Sequence, residues 1–390
     1  MCEKLAYIYD HRYYKYKNEI YSSGALTESL WDRFLNGFDS ITVYGNIIQA
    51  SQKEIQNLNR VNHPNVDFID VGYIRNLKDF VYGLFIDKLN FKTELQKYDA
   101  VVIRVPGEIS FNAFRIAKKI NKPIGLEVVG CPWDAYWNYG TIKARLLAPI
   151  AYFRMKNIVK KSTHSVYVTQ NFLQQRYPTN GKSINASNVE TKIPKSDIVE
   201  TKRKHLSKKK GKIKIGLMGS TNVQYKGHKE LLRAIAIIKN DIPEFQIEFT
   251  GPGDNGWVLK LVKDLNLESQ VVFNGKLPSG KPILDWLDVL DLYVHPSKQE
   301  GLPRSVIEAM SRACPVLASS VAGIPELLNP EFLHKPGDYK KLANDLKKVL
   351  SNKEILLNMS YSNYQKSKEY DMGILDIRRK KFWSEFAEQI

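Results

Sequence analysis

The sequence is poor in cysteine and has no long apolar run. Its three cysteines, Cys2, Cys131 and Cys314, are widely spaced and fall in no CxxC or Cys–His pattern. This spacing encodes neither a disulfide framework nor a zinc site. The longest apolar stretch, 146–153, has eight residues between two arginines, whereas a membrane-spanning helix needs about 20. We therefore expect a protein that does not cross a membrane.

The first residues lack the features of an export signal. Glu3 and Asp10 flank a short strand-like run, without a basic leader, a long apolar segment or a small-residue cleavage site. The sequence therefore predicts a cytoplasmic protein. Apolar side chains, by contrast, make up 43% of the 390 residues, and they suffice for the cores of about two or three compact domains.

Positive charge is in excess and unevenly placed. The chain has 58 Lys and Arg against 41 Asp and Glu, a net charge of +17. Residues 1–200 have 27 basic and 19 acidic side chains, residues 201–214 have eight and none, and residues 215–390 have 23 and 22. This asymmetry predicts an anionic partner for the first half, either nucleic acid or acidic lipid headgroups.

Strand-like apolar runs alternate with helical patterns along the chain. In the second half the strand-like runs lie at 213–219, 245–251, 271–275, 291–297 and 315–320, and the helical patterns follow the first run and recur near 255–266, 280–289, 304–313 and 338–350. The first half has candidate strands at 4–10, 40–45, 66–72, 99–106, 123–130 and 164–169. This order predicts an α/β fold of two doubly wound, Rossmann-like domains with parallel sheets.

A dense charge run between the halves predicts a solvated linker. We therefore place an N-terminal domain at 1–195, a basic linker at 196–212 and a C-terminal domain at 213–370, followed by a helix at 371–390. Two such domains facing each other across a cleft would bring the carboxyl ends of their strands, where α/β folds bind ligands, to that cleft.

Two glutamates after a predicted strand form a motif. Glu300 and Glu308 are separated by seven residues, and Gly301, Leu302 and Pro303 turn the chain into a helix between them. This spacing places the two carboxylates on one side of the element at different depths. The free amides at the helix start suit phosphate or sugar oxygens. On spacing alone, two solvated glutamates on an amphipathic helix are an open alternative.

The run QEGLPRSVIEAMSRACPVLASSVAGIPELL (299–328), with the strand and His-Pro-Ser before it, closely resembles the signature of family 4 retaining glycosyltransferases of GT-B architecture. The resemblance implies two Rossmann-like domains, a last helix that crosses back to the first, and a nucleoside-diphosphate sugar donor, with UDP preferred to GDP. It implies that Glu300 orients the donor sugar and that Glu308 contacts the ribose. A lipid-linked saccharide acceptor and a role in bacterial surface-polysaccharide synthesis, such as capsule synthesis, follow from the same resemblance.

The run GLMGSTNVQYKGHKELLRAI (216–235) resembles the phosphate loop of the same family. The resemblance implies that Lys226 compensates the charge of the leaving diphosphate, although a surface lysine at a helix start is the alternative. Many members carry an arginine directly after the glycine, but Ser220 and Thr221 follow Gly219 here. We hypothesise that Arg304 or a backbone amide of the loop fills part of this role.

Other loops are candidates for donor contacts. Gly251 lies in a glycine loop at a strand end, and Lys276 and Leu277 match a family segment that contacts the base. Gly24 lies where the family brings a glycine-containing loop over the donor phosphates, and a simple helix-start glycine is the alternative. Loops of this kind are common in α/β proteins.

The stretch 125–140 is the predicted acceptor wall. It lies where many family members carry a histidine near the reaction centre, and it has none. Glu127 and Asp134 are the available polar groups, Asp134 being the catalytic candidate, and Trp133 and Trp137 offer faces for sugar stacking. A packed aromatic corner is the alternative.

The segment 142–161 alternates basic and apolar side chains as a basic amphipathic helix does. Together with the charges of 202–214, it predicts peripheral attachment to the anionic inner face of a bacterial plasma membrane. A solvated helix face is the alternative.

The predicted chemistry is same-face transfer without an essential metal or other cofactor. No Asp-x-Asp pair stands at a strand end, and Lys226, Glu300 and Glu308 supply positioning and charge. Two rival functions are a sugar-nucleotide epimerase or hydrolase of the same architecture and a basic nucleic-acid-binding protein. No recognised nucleic-acid motif is present for the latter, so we expect no nucleic-acid partner.

Overall fold

The computed structural model describes residues 3–23, 26–56, 58–72, 91–189, 191–208 and 211–390. The chain forms two compact units. The first unit comprises Met1–Asn188 and Gly373–Ile390, and the second comprises Val189–Met372. Each unit has its own sheet and its own buried apolar clusters.

The first sheet is mostly parallel. Its described strands are β1 (Lys4–Tyr16), β2 (Glu19–Ser22), β3 (Ser40–Gln49), β4 (Asn59–Arg60), β5 (Val66–Asp70), β6 (Ala100–Val105), β7 (Ile124–Val128), β8 (His164–Tyr167) and β9 (Lys182–Asn185). β1 pairs in parallel with β3 and β6, and β2 pairs antiparallel with β1 and β4. β6 and β7 are buried along their whole length, as central strands with helices on both faces should be.

Short and long helices connect these strands. They are α1 (Asp32–Leu35), α2 (Gln52–Ile55), α3 (Phe91–Gln96), α4 (Glu108–Lys119), α5 (Pro132–Trp137), α6 (Ile142–Lys161) and α7 (Phe172–Arg176). The start of α4 is capped from β1, because Asp10 Oδ2 accepts the backbone N–H of Glu108 at 2.9 Å. A carboxylate at this position satisfies an orphan amide and favours the helix dipole.

The second sheet is parallel at every described pair. Its strands are β10 (Ile213–Met218), β11 (Phe245–Thr250), β12 (Val271–Gly275), β13 (Leu292–His295), β14 (Val316–Ser319) and β15 (Leu333–His334). They lie in the order β12-β11-β10-β13-β14-β15. The chain therefore winds outward from β10 in one direction and from β13 in the other, which is the doubly wound topology that the sequence predicts.

The described helices of the second unit are α8 (Asp197–Lys208), α9 (His228–Ile238), α10 (Gly256–Asp264), α11 (Lys281–Val289), α12 (Arg304–Ser311), α13 (Tyr339–Leu350) and α14 (Lys353–Ser367). Of these, α8 and α14 were not predicted from the sequence. The predicted helical stretches near 255–266, 280–289, 304–313 and 338–350 match four of the others.

The predicted basic linker at 196–212 is wrong, because most of it is α8 and belongs to the second unit. The buried positions of α8 are Ile198, Lys202 and Leu206, one helical turn apart. Lys202 Nζ donates to the carbonyl oxygens of Leu287 at 3.0 Å and Leu290 at 2.9 Å. Burial lowers the pKa of Lys202. Because Lys202 occupies a buried helix position where an apolar residue is expected, the sequence of α8 does not show an apolar helical period.

The last helix, α15 (Met372–Ala387), packs in the first unit. Trp383 is fully buried and lies 5.2 Å from Phe34, centroid to centroid. Gly125 in β7 makes room for it, because a Cβ there would collide with the Trp383 ring. Arg379 donates to the carbonyl oxygen of Ala186 at 3.2 Å. The chain end is thus part of the first unit's core.

Candidate active site

The candidate active site lies at the carboxyl ends of β10 and β13. These strands are neighbours at the point where the strand order of the second sheet reverses. Ligands bind at such switch points in doubly wound folds. Lys226 ends a short 3-10 turn, Gln224–Lys226, just before α9. Glu300 lies in the turn between β13 and α12.

The two loops that hold these residues are joined backbone to backbone. The N–H of Lys298 donates to the carbonyl oxygen of Tyr225 at 2.7 Å, and Ser297 Oγ donates to the same oxygen at 3.1 Å. Gly227 has a φ of +87°, and a Cβ there would collide with the backbone carbonyl of Pro296. Glycine is therefore required for the loops to approach so closely.

Two cationic or donor side chains converge on Glu300. Lys226 Nζ donates to Glu300 Oε1 at 2.8 Å, and His295 Nε2 lies 2.9 Å from the same oxygen. The Lys226, Glu300 and His295 side chains are 23%, 9% and 2% exposed. A buried carboxylate paired on two sides in this way is a preorganised site rather than a solvated surface glutamate.

The charge state of Glu300 follows from these contacts. Burial alone would raise its pKa, but His295 and then Lys226 outweigh burial and lower the pKa to about 2. Glu300 is therefore ionised at neutral pH, and His295 must donate through Nε2–H. Both bonds fall on Oε1, so Oε2 can accept a hydrogen bond from a ligand hydroxyl.

His295 lies in the His-Pro-Ser run of the signature, but no role was predicted for it from the sequence. Its Nδ1 lies 3.3 Å from the Tyr293 hydroxyl, and the two rings stack with centroids 6.0 Å apart. These contacts fix the plane of the imidazole so that Nε2 points at Glu300. The available signal was a titratable side chain at the carboxyl end of a strand, five residues before Glu300.

The glycine loops after β10 and β11 lie beside Lys226. The N–H of Gly219 donates to the carbonyl oxygen of Thr250 at 2.8 Å. A Cβ on Gly251 would collide with the Gly219 carbonyl, and a Cβ on Gly219 would lie 3.0 Å from the Cβ of Lys226. The structure therefore brings the predicted Gly219, Gly251 and Lys226 together.

Thr221 is a predicted donor-binding residue, but a contact through its side chain does not fit the structure. Thr221 is 3% exposed, and its hydroxyl packs where a Cβ on Gly253 would be. Its carbonyl oxygen accepts from Trp257 Nε1 at 2.7 Å. Loop packing has drawn the residue inward. Ser220, which is half-buried, accepts the N–H of Asn222 at 3.3 Å.

The turn into α12 places the other predicted donor residues. Arg304 Nη2 lies 3.4 Å from Glu308 Oε1, so the two predicted donor groups form an ion pair. The carbonyl of Gly301 accepts the N–H of Gly323 at 2.9 Å, which ties the turn to the loop after β14. Leu302 is half-buried against the core, and Pro303 caps the helix start.

Two of the remaining donor candidates follow β12 next to the Gly251 loop, because the N–H of Gly251 donates to the carbonyl oxygen of Gly275 at 2.8 Å. Lys276 is exposed in the loop after β12, and Leu277 is half-buried and packs against the core. Gly24 lies outside the described residues. These positions stay predictions.

Glu127 does not fit the predicted acceptor wall. It lies on β7 and is 2% exposed. Its Oε2 accepts from the Tyr7 hydroxyl at 2.7 Å and lies 3.7 Å from Arg104 Nη1. A central strand of the sheet turns this side chain into the fold, so its carboxylate is paired inside the first unit rather than presented to an acceptor.

The other acceptor candidates lie on α5. Trp133 and Trp137 stack with centroids 5.4 Å apart and ring planes 11° apart. Trp137 is 45% exposed, whereas Trp133 is packed against the core. Asp134 lies 3.4 Å from Arg176 Nη2 and is thus in an ion pair. These contacts fit the packed aromatic corner as well as they fit an acceptor wall.

The described residues bear on two further expectations, about crossing a membrane and about binding a metal ion. No helix in this part of the chain combines the length and the apolarity that a membrane crossing needs. Within the same residues, no three His, Cys, Asp or Glu side chains are grouped so that they could hold a metal ion. The need for a metal stays a matter for experiment.

Two α/β units with largely parallel sheets, and a paired Glu300 at the strand switch point of the second, agree with the resemblance that the sequence carries. The family model described as "Glycosyl transferases group 1" matches residues 198–366. Protein CapJ of Staphylococcus aureus is 34% identical over 382 residues, which cover 97% of this chain and 94% of CapJ. The chain belongs to the group 1 glycosyl transferases. Its class of reaction is therefore glycosyl transfer.

Solved structures confirm the predicted fold class. HepE of Anabaena in complex with UDP superposes with a TM-score of 0.67 at 16% identity, over 98% of this chain and 100% of that one. WaaG, described as a glycosyltransferase involved in lipopolysaccharide biosynthesis, gives a TM-score of 0.61 at 14% identity, over 97% and 98%. At such low identity these likenesses support the fold alone.

Proposed function

We propose that the protein transfers a sugar from a UDP-sugar to a saccharide acceptor with retention of anomeric configuration. The observation that carries this proposal is the convergence of Lys226 and His295 on Glu300 at the switch point. HepE is described in complexes with UDP and with UDP-glucose, which supports uridine as the base. A GDP-sugar is the second candidate.

Each side chain of this group has a separate role. Lys226 offsets the negative charge that develops on the leaving diphosphate. Glu300 Oε2 accepts a hydrogen bond from a hydroxyl of the donor sugar and so holds the anomeric carbon in place. Glu308 binds the ribose hydroxyls, and Arg304, 3.4 Å away, restrains its carboxylate.

Transfer with retention proceeds by attack of the acceptor hydroxyl on the anomeric carbon, on the same face from which the diphosphate leaves. The transition state is oxocarbenium-like, and an oxygen of the departing phosphate takes the acceptor proton. The family resemblance supports retention. We expect no essential metal, since the Lys226 ammonium and the N–H dipoles at the start of α12 can stabilise the negative charge of the diphosphate, as a metal ion does in other enzymes. Full turnover in excess chelator is the expected result, and loss of turnover would overturn this part of the proposal.

The acceptor is a lipid-linked saccharide, and the protein attaches to the inner face of a bacterial plasma membrane. The basic, partly apolar helix α6 supports this location. The description of WaaG as a lipopolysaccharide enzyme and the family resemblance support a role in surface-polysaccharide synthesis, such as capsule synthesis.

A thermal-shift panel with UDP, GDP, ADP and CMP tests the donor proposal. We expect UDP to raise the melting temperature more than the other nucleotides, and Lys226→Ala to abolish that rise. Stabilisation by GDP instead would show that the donor base is guanine and would leave the assignment of the site unchanged. Equal stabilisation of the wild type and Lys226→Ala by UDP would contradict the site itself.

A further inference from the structure

A cationic pocket lies between α4 and α6 in the first unit. It has a volume of about 300 Å³, and four of its lining residues are Arg115, Lys118, Arg154 and Lys161. The residues that line it include no carboxylate. Within the described part of the chain, Arg154 is the member of this set that an ion pair neutralises, through Glu108 at 2.9 Å. The pocket therefore keeps a surplus of positive charge beside a mostly apolar wall, and it suits a phosphate group that is attached to an apolar chain.

An apolar stripe runs along the outer side of α6. Ile142, Leu146, Ile150 and Phe153 recur every three or four residues and are 77%, 71%, 56% and 65% exposed. The buried side of the helix is formed by other residues, Ala144, Ala148, Ala151, Met155, Ile158 and Val159. The exposed stripe thus adds nothing to the core, and a contiguous apolar surface of this kind marks an interaction site.

The stripe and the pocket lie side by side on the same helix. Successive residues of an α-helix are about 100° apart, so Arg154 and Lys161 lie between the stripe and α4. Residues 108–161 hold ten Lys and Arg against three Asp and Glu. An apolar strip edged by cations complements the boundary between acyl chains and phosphates of a bilayer.

A second, acidic pocket adjoins the cationic one. It has a volume of about 350 Å³ and is lined by Asp10, Glu108, Tyr136 and Tyr139, among others. Phe111 lines both pockets. Glu108 of the second pocket is the ion-pair partner of Arg154 in the first. The tyrosine rings suit the apolar face of a sugar. Asp10 and Glu108 are engaged with the start of α4 and with Arg154, and the lone pairs that their oxygens retain can accept hydrogen bonds from sugar hydroxyls.

We propose that the cationic pocket binds the phosphate of the lipid that carries the acceptor, with the apolar stripe in the bilayer surface and the attached sugar in the acidic pocket. This inference rests on the proposed lipid-linked acceptor and adds its binding site. Phosphate, lipid and sugar then each meet a surface of matching chemistry along one side of α4 and α6.

Vesicle co-sedimentation with the full chain tests the pocket. The vesicles are phosphatidylcholine alone, phosphatidylcholine with a polyprenyl monophosphate, and phosphatidylcholine with phosphatidylglycerol at equal charge. We expect the strongest binding to the polyprenyl phosphate vesicles. The double variant Lys118→Glu/Lys161→Glu should weaken that binding at least about tenfold. Equal binding to the two charged vesicle types would overturn the assignment to the acceptor lipid.

The matched control is Lys119→Glu/Lys156→Glu. It makes the same charge change on the same two helices, at exposed lysines outside the pocket lining. The control should keep the preference for polyprenyl phosphate. If both double variants lose binding equally, or neither does, the pocket is not the phosphate site.

Two further measurements separate this inference from the proposed function. Stabilisation by UDP is measured on every variant, so lost vesicle binding with intact UDP binding concerns the first unit alone. Leu146→Gln/Phe153→Gln should weaken binding to all vesicles. Ile237→Gln/Leu259→Gln, at residues 54% and 52% exposed in the second unit, should not. The opposite pattern would contradict the apolar stripe as the membrane contact.

Discussion

The charged groups of the candidate active site in the second unit and those of the cationic pocket in the first unit are held in opposite ways. In the second unit Lys226, Glu300 and His295 are largely buried, paired with one another and fixed by loops joined through their backbones. In the first unit Lys118 and Lys161 stand exposed on helix faces. Buried, preorganised charge suits a ligand whose charge changes during the reaction. Exposed charge suits attraction to a surface, where geometry matters less.

The largest effect is expected from Glu300→Gln, which removes the carboxylate from the buried cluster of Lys226, Glu300 and His295. The amide keeps the size of the carboxylate but removes the anion that Lys226 and His295 surround. We expect turnover to fall about 10²- to 10³-fold, measured as UDP release with acceptor present. Glu331→Gln, in an exposed ion pair with Lys348, is the control and should change turnover little. Similar turnover in the two variants would remove Glu300 from the site.

Gly227→Ala tests whether loop geometry holds the group together. The new Cβ must avoid the carbonyl of Pro296 at a positive φ, so we expect a loss of about 3 kcal/mol in the free energy of unfolding. Gly140→Ala is the control, because Gly140 also has a positive φ but has nothing within 4 Å of its Cβ position. It should cost about 1 kcal/mol. Equal losses in urea unfolding would show that the two loops do not need this close approach.

The pH dependence of stability tests the ionisation of Glu300. Its pKa is about 2 in the folded protein against an ordinary 4.5, so the folded state favours the ionised form. The resulting stability is present above pH 4.5 and is lost as the pH falls from 4.5 towards 2. Between pH 4.5 and 3 the wild type should lose about 2 kcal/mol more than Glu300→Gln. Parallel curves of unfolding free energy against pH would contradict the paired carboxylate.

Arg304→Ala should have the smallest effect of the four. The Arg304 side chain is 38% exposed and pairs with Glu308. Its removal therefore frees the Glu308 carboxylate, which we propose binds the ribose, and takes away one cation. We expect the KM for the donor to rise about fivefold, a change of about 1 kcal/mol, with little change in kcat. Arg304→Lys should recover part of the loss. An unchanged KM would exclude Arg304 from diphosphate binding.

The sequence predicted the parts of the fold that alternate regularly. The six candidate strands of the first half and the five of the second correspond to β1, β3, β5, β6, β7 and β8 and to β10–β14. Side-chain period and turn residues determine these elements locally. β1 extends beyond its predicted end at Asp10 to Tyr16, because Tyr13 finds a buried place beside Phe68, 5.3 Å away. Such a partner, distant in sequence, leaves no local signal.

The same limit applies to the site. Glu300, Lys226 and Gly219 were singled out because their motifs are local and specific, whereas the glycine loop of Gly251 is of a kind that is common in α/β proteins. The role of His295 was missed, since it depends on a loop that brings Glu300 back over the strand end. Glu127 was assigned to the acceptor wall because it is one of the two polar groups available in 125–140, and the sequence does not show that β7 is covered on both faces.

The central claim is that Lys226, held by Glu300, binds the diphosphate of the donor. Calorimetric titration of UDP into the wild type, Lys226→Ala and Lys229→Ala tests it most directly, since both variants remove one lysine charge within four residues of the chain. We predict that Lys226→Ala weakens UDP binding at least about tenfold and that Lys229→Ala binds like the wild type. Equal weakening in both variants, or none in either, would contradict the assignment of the donor site.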